Sequence, residues 1–148
     1  RGQEPIGENL GAISTEWENE IGDGALVQKT LDFYQQERGG KGGLSISSVR
    51  RESEAKAIKQ AGGVIIWVDA DRHTRYERLR HSRGRLDDMV SFEQFCQIED
   101  DELYNKAGVK GALAGASVRD VADVVIDNNF PTKEAYEAYL IDYFELEA

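Results

Sequence analysis

Val64-Ile65-Ile66-Trp67-Val68 constrains this chain more than any other stretch. It follows Gly62-Gly63 and lacks the apolar–polar alternation of a half-solvated strand. A continuous apolar run is what a central parallel strand needs, because crossover helices cover both of its faces. A second candidate strand runs from Leu44 to Val49, and the stretch between them, Glu52 to Ala61, has helical propensity with Ala55, Ile58 and Ala61 on one side. Gly62 supplies a left-handed stop. Two strands separated by one helix predict a right-handed βαβ unit. Val121 to Ile126 adds a third strand, ending at Asp127-Asn128-Asn129.

The remaining segments read mostly as helices. Leu10, Ile13, Trp17 and Ile21 recur at helical spacing, and a second helix carries Leu26, Thr30, Leu31 and Tyr34 as far as Arg38. Asp71 is placed to cap a helix through Ser82, with Tyr76 and Leu79 facing inward. Ser91 and Gln94 offer a capping box for a helix holding Phe92, Phe95, Ile98 and Leu103. Gly84 to Val90 and Lys106 to Ala116 read as loops. Thr132 caps a last helix whose face carries Ala135, Tyr136, Tyr139, Leu140, Tyr143 and Phe144. The pattern predicts one α/β domain over residues 1–148 with a parallel sheet. Three strands are few for so many helices, which places the missing strands before residue 1.

Composition narrows the function classes. The 148 residues carry 28 acidic and 18 basic side chains, a formal net charge of −10, which disfavours a generic nucleic-acid coat. No apolar run approaches the roughly 20 residues of a membrane span, and no signal peptide opens the chain. The single cysteine, Cys96, sits in an apolar helical pattern and makes a reducing cytoplasm the expected location.

In open α/β sheets, ligands sit beyond the carboxyl ends of the strands. There the sequence places Ser47, Arg50 and Arg51 at the end of the first strand, Asp69 and Asp71 at the end of the second, and Asp127, Asn128 and Asn129 at the end of the third. Arginine density is the sharper signal. Arg72, Arg75, Arg78, Arg80, Arg83 and Arg85 put six of the eleven arginines into 14 residues. Planar guanidinium forks suit phosphate oxygens. The acidic stretch from Asp87 to Glu102 offers the same arginines an internal alternative. Gly39-Gly40-Lys41-Gly42-Gly43 is not a phosphate loop, since no Ser or Thr follows the lysine and the stretch precedes a strand. His73 and His81 have no partner at zinc spacing.

The run from Gly43 through Phe144 resembles P-loop nucleoside and nucleotide kinases, particularly the dephospho-CoA kinase-like and deoxynucleoside-monophosphate kinase-like proteins. The matching pieces are Leu44 to Ala55, Val64 to Leu79 ending in Tyr76-Glu77-Arg78-Leu79, and Ala122 to Asn129. The resemblance implies a three-layer parallel-sheet fold, N-terminally incomplete, whose first strand, phosphate loop and following strand would precede Arg1. Residues 1–38 would be the acceptor-side helical pair, 43–82 a βαβα unit, 83–118 the lid and a helix, and 119–148 the last strand and helix.

That family implies ATP-dependent phosphoryl transfer to a nucleotide-like small molecule, with ATP and Mg²⁺ as cofactors and catalysis by positioning and charge neutralisation. Arg78, Arg83 and Arg85 would close over the transferring group, and Arg50 and Arg75 would hold the acceptor. Asp127, Asn128 and Asn129 would lie near the adenine, and Ser47 and Asp69 near the metal. Two other readings stand beside it: a non-catalytic nucleotide-binding or scaffold domain, and an RNA-binding module using Arg72 to Arg85. The sequence leaves the oligomeric state open.

Overall fold

The computed structural model describes residues 16–22, 24–39, 42–81, 90–104 and 115–146. In chain order these form α1 (16–21), α2 (Ala25–Arg38), α3 (Glu52–Gln60), β1 (Ile66–Asp69), α4 (Arg72–His81), α5 (Phe92–Tyr104), α6 (Gly115–Asp120), β2 (Val124–Asp127) and α7 (Lys133–Tyr143). The helical readings over residues 5–15, the loop at Gly84 and most of the loop from Lys106 lie outside the described residues.

Local chemistry sets several helix ends. Glu54 reaches back to the backbone N–H groups of Arg50 (3.0 Å) and Arg51 (3.2 Å), holding the first turn of α3. Ser91 and Gln94 form the reciprocal pair expected of them: the Ser91 N–H donates to Gln94 Oε1 (2.9 Å) and the Gln94 N–H to Ser91 Oγ (3.2 Å). Thr132 Oγ1 accepts the Ala135 N–H at 3.2 Å, capping α7 as expected. After α3 the chain turns through Gly62 at φ 82°, a left-handed conformation that costs glycine little.

The helices pack in sequence through space, α2 on α3, α3 on α6, α6 on α5 and α5 on α4. Their shared centre is Ala55 of α3, Ile65 before β1 and Val118 of α6, all buried, with Val49, Ile58, Trp67, Val121 and Ala122 partly buried around them. Close approach depends on small residues. At Gly24, where φ is 84°, an added Cβ would meet the Ser53 carbonyl oxygen at 3.2 Å and Ala57 Cβ at 3.3 Å. On the other side, Tyr76 of α4 meets Phe92 and Phe95 of α5, with centroids 5.4 and 5.5 Å apart. Phe130 anchors α7 through Tyr136 and Tyr139.

The sheet differs from the sequence expectation. β1 and β2 pair in parallel, Ile66 opposite Val124 through Asp69 opposite Asp127, and this two-stranded ladder is the whole sheet among the described residues. Residues 43–50 run without regular structure or a ladder, so the expected βαβ unit does not form. Nor is Val64–Val68 covered on both faces, for Val64, Ile66 and Val68 are 62%, 45% and 49% exposed. The three-layer parallel-sheet kinase fold is therefore overturned: the described residues are mostly helical with a minimal open sheet. A continuous apolar run fixes extended structure locally, while the number of strands beside it depends on distant segments.

Candidate functional site

β1 delivers Asp69 to the carboxyl end of the sheet, and α4 starts three residues later, so Asp69, Arg72 and Arg75 leave one strand–helix junction. Residues three apart on a helix share a face, which turns both arginines the same way. α5 faces them with Glu99, Glu102, Leu103 and Tyr104, and α6 adds Gly115 and Arg119. Ser48, Val49 and Arg50 close the remaining side, with Trp67 and Val68 from β1. Together they line a cleft of about 490 Å³, within the size range of small-molecule sites.

The four arginines of the cleft fall into two pairs. Arg75 is fully engaged: Nε and Nη2 donate to the two Glu99 oxygens at 2.6 and 2.8 Å, and Nη1 donates to Asp69 Oδ1 at 2.7 Å and to the Ala70 carbonyl. Arg72 donates to Asp100. Hydrogen bonding to Glu99 and to Asp100, respectively, raises the pKa of each guanidinium and fixes its charge. These two residues bolt α4 to α5. By contrast, Arg50 lies 4.0 Å from Glu102 and Arg119 lies 3.9 Å from Asp69, and their side chains are 52% and 55% exposed. Contacts that long are loose ion pairs, outside hydrogen-bond distance.

Trp67 supplies an apolar wall. Its ring edge reaches α6, where a Cβ at Gly115 would lie 3.5 Å from Cη2. The indole Nε1 is buried with no hydrogen-bond partner among the described residues. A buried donor left unpaired costs about 1–3 kcal/mol.

The sequence-predicted site residues scatter. Arg50, Arg75 and Asp69 meet in the cleft. Ser47 lines a neighbouring groove, which shares Ser48, Val49, Trp67 and Val68 with the cleft. Arg78 spans from α4 to the turn after β2, donating to the Asn128 and Phe130 carbonyls at 2.9 Å each. In that turn Asn129 donates to Asp127 Oδ1 at 2.6 Å and accepts the Asp71 N–H at 2.9 Å, while the Asn128 N–H donates to the Asp69 carbonyl at 2.7 Å. None of the three lines the cleft. Arg83 and Arg85 lie outside the described residues. Sequence reasoning missed Arg119, Trp67, Glu99 and Glu102 as site residues. The acidic run before Glu102 was the available signal for two of them, while nothing local marks Arg119.

The fold and cleft thus define a helix-rich domain with a two-stranded parallel sheet and an arginine-lined pocket at the strand ends. No family model, curated protein or solved structure matches the chain. The resemblance to P-loop kinases, the phosphotransferase activity and the kinase-relative alternatives drawn from it are overturned. The sequence has no phosphate-loop motif, and among the described residues there is neither an extended nucleotide-binding sheet nor a cluster of His, Cys, Asp and Glu fit for a metal ion. The arginine density that suggested a phosphate lid has another cause at Arg72, Arg75 and Arg80, which pair with Asp100, Glu99 and Glu77. No described helix is long and apolar enough to cross a membrane.

Proposed function

We propose that the cleft binds a small organic oxyanion with a flat apolar body, and that the domain is a ligand-binding module. The observation that carries this reading is the division of labour among the arginines. Arg72 and Arg75 build the wall, while Arg50 and Arg119 stand half-exposed, and their ion pairs among the described residues are loose. An oxyanion entering between them exchanges two weak ion pairs for charge-assisted hydrogen bonds. The apolar part of the ligand rests against Trp67, Leu103 and Tyr104. Glu102 opposes the anion, so the site favours a ligand that gains from apolar contact as well as from charge.

Titration calorimetry with phenyl phosphate and with inorganic phosphate tests this. Phenyl phosphate binds saturably and more tightly than phosphate. Arg50→Ala and Arg119→Ala each weaken it by about tenfold, the scale of a charged hydrogen bond at a half-exposed site. Glu102→Gln strengthens it by about two- to fivefold through removed repulsion. Equal affinity in all four proteins, or no binding of phenyl phosphate, contradicts the reading.

A further inference from the structure

Two of the three carboxylates that line the cleft are spent on Arg75. Both Glu99 oxygens accept from it, at 2.6 and 2.8 Å, and Asp69 Oδ1 accepts Arg75 Nη1 at 2.7 Å and the Ala70 N–H at 2.8 Å. Glu102 is held differently. It lies three residues beyond Glu99, on the same side of α5. Its side chain is 55% exposed and meets Arg50, itself 52% exposed, at 4.0 Å. So open a pair is weak, and a ligand separates it at small cost. The cleft therefore offers an available carboxylate beside its available guanidinium groups. Charge balance points the same way. Arg72 is matched by Asp100, which stands outside the lining. With that partner included, four guanidinium groups face four carboxylates. A ligand of no net charge keeps this balance, whereas a simple anion leaves Glu102 opposing it.

The apolar surface begins beside Glu102. Leu103 and Tyr104 follow it on α5, and all three line the cleft. A Cβ added at Gly115 would lie 3.3 Å from Leu103 Cδ1 and 3.5 Å from Trp67 Cη2, so these two side chains close on one point of the lining. We infer that the ligand is an α-amino acid zwitterion with a flat apolar side chain, an assignment that rests on the oxyanion-binding reading of the same cleft. Its carboxylate takes Arg50 and Arg119, its ammonium takes Glu102, and its side chain lies against Trp67 and Leu103. Both charges leave one carbon atom. The head group thus exchanges the loose Arg50–Glu102 pair for charge-assisted contacts to each partner and leaves neither charge unmatched.

Titration calorimetry near neutral pH compares L-phenylalanine with two analogues that keep the ring and one charge each, 3-phenylpropionate and 2-phenylethylamine. L-Phenylalanine binds saturably and at least about fivefold tighter than either, the scale of one charge-assisted bond at a half-exposed site. Glu102→Gln, at an exposed position, removes the charge and keeps the size. It weakens L-phenylalanine and strengthens 3-phenylpropionate, so the preference between them disappears. A general disturbance of the cleft does not move the two ligands in opposite directions. If phenyl phosphate binds but L-phenylalanine does not, or gains nothing over 3-phenylpropionate, the zwitterion assignment is overturned and the oxyanion reading stands. A preference that survives in Glu102→Gln overturns the assignment as well. If neither phenyl phosphate nor L-phenylalanine binds, both fall together.

Discussion

Asp123 accepts the Ile65 backbone N–H at 2.9 Å on one carboxylate oxygen and the Lys59 ammonium at 2.7 Å on the other. It thereby ties α3 to the entrance of both strands. The Ile65 N–H first, and Lys59 second, hold its pKa below the ordinary carboxylate value. A group whose folded pKa is depressed stabilises the fold above its unfolded pKa, and that contribution disappears as pH falls through the folded value. Asp123→Asn is therefore less stable than the parent near neutrality, and the difference closes as pH falls through the acidic carboxylate range. Urea unfolding across that range checks this, and a pH-independent difference refutes it. Contacts of this reach set the limit of sequence reading. Thr132 and the Ser91–Gln94 pair were legible because both partners lie within three residues. Ile65 with Asp123, separated by 58 residues, left no local pattern.

The two strands share the burden unequally. Ile126 of β2 is 1% exposed, whereas Ile66 of β1 is 45% exposed. Ile126→Ala should cost about 2–5 kcal/mol and Ile126→Val about 0.5–1.5, as for buried aliphatic truncations. Ile66→Val should stay within about 0.5 kcal/mol, the range of exposed substitutions. Comparable losses at both positions in chemical denaturation would show a β1 covered in solution by something further. The sequence located β1 and β2 to within a few residues because apolar runs bounded by Gly or Asp are local signals. It did not reveal that residues 44–49 lack a ladder, since pairing depends on what lies beside a strand. α6 was hidden as well: Gly115 and Ala116 read as loop, yet they open a helix whose Val118 reaches the core.

For the whole molecule, a net charge of −10 does not describe the cleft, whose lining sets four arginines against Asp69, Glu99 and Glu102. Screening confines charge effects to roughly 8–10 Å at ordinary ionic strength, so a ligand meets the rim arginines and not the total. The sequence reading looked for arginines and carboxylates at the carboxyl ends of the strands, and of its site residues Arg50, Arg75 and Asp69 line the cleft. It assigned them the wrong chemistry, because the pairing of α4 with α5 becomes visible only once those helices are packed.

Heteronuclear NMR of the Trp67 indole during addition of phenyl phosphate tests the binding cleft most directly. The protein has two tryptophans, and Trp17 stacks beneath Lys29 on α2, 5.0 Å from ammonium to ring centroid. The account predicts a saturable shift of the Trp67 Nε1–H resonance with a constant Trp17 signal, and loss of that shift in Arg119→Ala. A stationary Trp67 resonance, or equal movement of both indoles, contradicts it.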